Sequence, residues 1–176
     1  MISYDEAREA WSPDVRQQYL TQMNLEVVEP YVTRAIYDPT DDVYLMATRA
    51  TFRAMLGLRA ERSDLLVFPN AFRLYDYEDG FKSVLLDHEG MHAREIFENP
   101  SQVIGTVRNL ITSLLRPSSL RKIKRQAEIR AIQNQLKAHE QGRRNLQDSH
   151  IRVLEHELQH YLGCSSHKSK HLVRDD

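Results

Sequence analysis

The sequence predicts a mostly α fold with a small β-sheet (α+β), and three observations carry the prediction. Apolar residues recur at helical spacing over Val84 to Ile96, Val103 to Leu115, Leu120 to Leu136 and Ile151 to Leu162. Only Leu65-Leu66-Val67-Phe68, just ahead of Pro69-Asn70, reads well as a strand. With 176 residues and 41% hydrophobic content, the chain suits one domain with its own core, expected over residues 1–164, followed by a polar tail at 165–176.

Taken in order, Ser3-Tyr4-Asp5-Glu6 fits a capping box, and Ser12-Pro13-Asp14 restarts a helix with proline at its favoured first position. Two short helices to about Met23 follow, with Trp11 and Tyr19 expected in the packing. Residues 25–37, interrupted by Pro30, read as irregular or edge-strand structure. Asp38-Pro39-Thr40-Asp41-Asp42 forms a turn and an acidic helix start; no glycine-containing EF-hand loop accompanies the acids. A helix is expected from Val43 to about Leu56, ended by Gly57. Arg73, Tyr75 and Tyr77 alternate as one side of an extended segment, Asp79-Gly80 makes a turn, and a helix then runs to about Asn99-Pro100. Ser101 caps an amphipathic helix, Pro117-Ser118-Ser119 restarts the chain, and a helix continues to Gly142. Arg143-Arg144-Asn145 links it to the last helix.

Within the helix that follows Gly80 lies His88-Glu89-Gly90-Met91-His92. Histidines four apart on a helix share a face and can reach one metal ion, while the intervening glutamate leans over the open coordination position. Such a site holds zinc, lowers the pKa of a bound water to about 7, and uses the glutamate, here Glu89, as base. The helical phase puts His88 and His92 inside the apolar stripe, where a desolvated site must lie. The pattern recurs at His156-Glu157-Leu158-Gln159-His160, but there both histidines fall on the polar side, as a solvent-facing surface would have them. For a third ligand, Glu128 falls within the apolar arc of its helix, an expensive place for a carboxylate that is neither paired nor metal-bound. Pairing with Arg125 or Lys124 is the alternative.

The HEGMHA stretch on an apolar helix, followed by a helix with an inward Glu128 flanked by alanines, resembles the small gluzincin-type zinc metallopeptidases and is similar in plan to the minigluzincins, over about residues 65–140. The resemblance implies a compact zincin-like domain, zinc bound by His88, His92 and Glu128, Glu89 as general base, and a peptide or protein substrate. It also implies that a strand, here Leu65–Phe68 or the Phe72–Tyr77 segment, binds substrate by strand addition. A tyrosine hydroxyl, from Tyr75 or Tyr77, would hold the oxyanion. No aspartate follows Glu128 in the manner that supports a motif histidine in many gluzincins, so that partner stays open.

Other classes fit less well. His156, Glu157, His160, Gly163 and His167 approximate the extended metzincin motif, but the last histidine comes one residue late and no methionine turn follows. A formal net charge of −1 gives no bias toward nucleic acid or membrane, and the basic run Arg116, Arg121, Lys122, Lys124 and Arg125 lacks interleaved aromatics. No apolar run approaches the about 18 residues of a membrane span and the start does not resemble a signal peptide, so the expectation is a cytoplasmic enzyme. One cysteine, Cys164, excludes an internal disulfide framework. The competing readings are a non-catalytic binding protein on a peptidase-like scaffold and a metal-free helical interaction protein. The residues 165–176 are also a candidate self-inhibitory tail.

Overall fold

The structure, a computed structural model, describes residues 1–23, 31–40, 46–48, 63–98 and 117–163. It is mostly α-helical with one small sheet. Helices α1 (Tyr4–Glu9) and α2 (Pro13–Gln22) come first. Strands β1 (Val32–Tyr37), β2 (Met46–Thr48) and β3 (Ser63–Val67) follow, then α3 (Pro69–Leu74). Helix α4 (Glu78–Lys82) passes through a π-helical segment (Ser83–Glu89) directly into α5 (Gly90–Glu98). Long helix α6 (Pro117–Glu140) and α7 (Asp148–Gly163) complete the described chain.

The capping box forms as its residues dictate: Glu6 N–H donates to the Ser3 hydroxyl and the Glu6 carboxylate accepts from Ser3 N–H at 2.7 Å. Pro13 takes the first turn of α2, where its missing N–H costs nothing. The sheet order is β1-β3-β2, with β1 parallel and β2 antiparallel to β3. β3 is therefore central, with Leu65 opposite both Ala35 and Thr48. Helix α2 packs on β1, and the π segment packs against β2 and β3. Between them lies an aromatic core of Tyr4, Tyr19, Phe72 and Phe81, with Phe72 and Phe81 centroids 4.8 Å apart and both rings fully buried.

A second cluster joins α6 to α7 through Ile132, Leu146 and Leu154, supported by Leu136, Ile151, Leu158 and Tyr161. Gly142, at φ 69°, turns the chain out of α6 in a left-handed conformation that glycine adopts at little cost.

Several expectations change. Pro69 starts a helix instead of ending a strand with a turn, so Phe72–Leu74 are helical and Arg73, Tyr75 and Tyr77 do not alternate along an extended chain. Asp79-Gly80 lies inside α4, with Gly80 fitted under the Tyr77 ring so closely that a Cβ would meet it at 2.7 Å. Substrate addition to β3 is excluded, because both its edges are already paired. Met46–Thr48 is a strand, not part of a helix from Val43; the remainder of that stretch and the helix over 101–115 lie outside the described residues. Trp11 is fully exposed, not packed. The tail at 165–176 also lies outside the described residues. Among the described residues, no helix is long and apolar enough to cross a membrane.

Candidate metal centre and its cleft

His88 and Glu89 end the π segment, and His92 stands one turn further in α5. The Gly90 N–H donates to the Leu85 carbonyl five residues back, the wider winding that defines a π-helix and that recurs at functional sites. The two imidazoles meet edge to face with centroids 4.9 Å apart. Helix α6 crosses the π segment and presents Glu128 on the same face as the buried Ala131, Ile132 and Gln135.

These three side chains converge. The Glu128 Oε2 lies 3.3 Å from His88 Nε2 and 3.8 Å from His92 Nε2. All three candidate ligand atoms lie within 4.8 Å of one another, the one group of this kind among the described residues. Donors placed tetrahedrally about 2.0–2.1 Å from a zinc ion stand about 3.3–3.4 Å apart, so the first spacing already fits and the second needs a shift of a few tenths of an ångström. The side chains keep 17 to 21% of their surface exposed, which leaves an approach from outside. Two nitrogen donors and one carboxylate are a zinc-type donor set.

Electrostatics separate the two glutamates. The neighbouring imidazoles of His88 and then His92 hold the Glu128 carboxyl far below the usual carboxylate range, against the opposing effect of burial. Burial pushes Glu89 up, opposed by the charges of His92 and His88. Burial pulls His88 down, but the Glu128 hydrogen bond, the charge of Glu89 and the Gln135 hydrogen bond together leave it above its ordinary value.

His88 and Glu89 open on a cleft of about 860 Å³ between the α3–α4 connection and α7. Its walls include Leu74, Tyr75 and Val84 on one side and His150, Val153, Leu154 and Glu157 on the other. The carbonyl of Tyr75 accepts from the Tyr4 hydroxyl at 2.7 Å, while its own phenol is pushed up to about 12 by burial, with smaller contributions from Glu157, Tyr77 and Glu89. Tyr77 is placed differently. Its hydroxyl accepts from the Gln147 N–H at 3.2 Å and lies 2.8 Å from His150 Nδ1, to which it donates when that imidazole is neutral, the form that burial favours, with its proton on Nε2. That hydroxyl ties the start of α7 to α4.

The second motif behaves as its phase indicates: His156 and His160 are both exposed on α7. Cys164 and His167 lie outside the described residues. Sequence reasoning missed Gln135 and Asp87, and gave Glu157 no place in the cleft wall. Gln135 had one readable signal, its position two helical turns beyond Glu128 on the same face. Comparison with protein-family models, with curated proteins and with solved structures returns no match.

Proposed function

We propose that this protein is a zinc-dependent metallopeptidase of the small gluzincin type. The observation that carries the reading is the convergence of His88, His92 and Glu128 donors beside Glu89 at the wall of a substrate-sized cleft. Bound there, zinc supplies Lewis acidity that polarises a carbonyl and makes water acidic enough to attack near neutral pH.

The chain supplies the rest. Glu89 removes the proton of the attacking water and delivers it to the leaving amine. Tyr75 keeps its proton at any ordinary pH, so it donates a hydrogen bond where negative charge grows on the carbonyl oxygen. Leu74 and Val84 on one side and Val153 and Leu154 on the other give apolar surface against which peptide side chains pack, with Leu74 and Val153 still 61% and 55% exposed.

Bound zinc per chain, measured after removal of loose metal, tests the reading in the wild type, His92→Ala and His160→Ala. One zinc, lost only in His92→Ala, is expected, with cleavage in a broad peptide library as the next result. Loss only in His160→Ala overturns the placement, and no zinc in any of them overturns the metallopeptidase reading.

A further inference from the structure

Gln135 is 1% exposed, and an amide is costly to bury unless its polar atoms are paired. Both are. Its Oε1 lies 2.9 Å from His88 Nδ1, and its Nε2 donates to the Ser83 hydroxyl at 3.1 Å, with Ser83 itself 0% exposed. The amide thus joins the first residue of the π segment to a histidine near its end, from a different helix. An imidazole that faces a carbonyl-type acceptor at Nδ1 must carry its proton there. In the neutral imidazole that a metal takes as ligand, Nε2 then carries the lone pair; the same Nε2, 3.3 Å from Glu128, donates to that carboxylate when the ring is protonated.

We infer that Gln135 is a positioning residue for the metal: it fixes His88 as the Nδ1–H tautomer and aims Nε2 at the point where His92 and Glu128 converge. The inference rests on the metal reading above but adds a residue to it. A neutral amide performs the orienting without adding a third carboxylate to a site that already holds Glu89 and Glu128. Its anchorage on buried Ser83 holds the amide in place, and the end that faces the ring sets the tautomer: Oε1 toward Nδ1 requires the proton there, and Nε2 turned toward Nδ1 would call for the opposite one.

The experiment combines zinc affinity, read by competition with a chromogenic chelator, with nitrogen NMR of the histidine side chains in the zinc-loaded wild type. His88 is expected to show a protonated Nδ1 and a metal-bound Nε2; an unprotonated Nδ1 overturns the inference without any variant. Gln135→Met keeps the length but removes the acceptor, and zinc binding should weaken about 10–100-fold. Gln135→Glu restores an acceptor and should restore the affinity, which a purely packing role does not predict. Should Gln135→Met fail to fold, Ser83→Ala releases only the anchor and should weaken zinc in the same direction. Wild-type affinity in Gln135→Met overturns the inference while leaving the metal site standing. No zinc in the wild type removes the metal site itself.

Discussion

Glu89 and Glu128 are two carboxylates of one site whose surroundings drive them in opposite directions. Glu128, facing two imidazoles, is a fixed anion suited to ligation; Glu89, pushed up chiefly by burial, is suited to taking and giving a proton. Glu89→Gln should therefore retain zinc while kcat/KM falls by about 10²–10⁴-fold, the usual worth of a general base. Measured zinc content and turnover in the same preparation check this, and full activity would remove Glu89 from the chemistry. The tyrosines separate in the same way. Tyr75→Phe should lower kcat by up to about 10²–10³-fold, the cost of one oxyanion donor, with the melting temperature held. Tyr77→Phe should lower the melting temperature with kcat changed little, because its hydroxyl spans to His150 and Gln147. At this scale the His88/His92 pair was readable because a spacing of four is local, and Glu128 because a carboxylate in an apolar arc is conspicuous. Gln135 was not readable as a partner of His88: a glutamine in a helix is ordinary, and a separation of 47 in sequence carries no local mark of the contact.

The element that sets the site is the continuous helix from Glu78 to Glu98, and Asp87 pins it. This carboxylate, with 4% of its side chain exposed, meets Arg144 Nε at 2.8 Å and Arg143 Nη1 at 3.2 Å, both from the α6–α7 connection. The Asn134 side chain adds a hydrogen bond to the Asp87 carbonyl at 2.8 Å. Removing one member of a buried ion pair leaves the other without compensation, so Asp87→Ala should cost about 3–5 kcal/mol. Arg143→Ala, whose side chain is 48% exposed, should cost far less; denaturant unfolding of the two variants compares them, and equal losses would mean that burial at Asp87 decides nothing. Caps and periodicity made most helices legible, from Ser3 to Glu6 and again from Pro117 onward. The errors came where a local signal had two meanings. Pro69 marks a helix start as readily as a strand end, and Gly80 suggests a turn until the Tyr77 ring is seen to occupy the space above it. The π winding of Ser83–Glu89 left no mark in the apolar spacing, which reads there as an ordinary helix.

Across the whole molecule, the cleft lies between two hydrophobic clusters of unequal size. The larger holds the sheet, α1 to α5 and one wall; the smaller holds α7, the opposite wall, to α6 through Ile132, Leu146 and Leu154. Polar ties fasten the α6–α7 connection to α4 and the π segment: Asn145 N–H to Asp79 at 3.0 Å, Tyr77 to His150, and the arginines to Asp87. The proposed zinc ligands all lie outside α7, on the helix from Glu78 to Glu98 and on α6. Wall and ligands can therefore fail separately. Leu154→Ala leaves a cavity worth about 2–5 kcal/mol in the smaller cluster, where few other apolar contacts can take up the loss. Hydrogen exchange should then show α7 amides over 151–162 opening at a lower free energy than those of β3, with bound zinc unchanged and KM raised, because the wall carrying Val153 and Glu157 is loosened. If protection instead falls equally in α7 and β3, the two clusters unfold as one unit, and the cleft wall has no freedom of its own with which to admit a substrate.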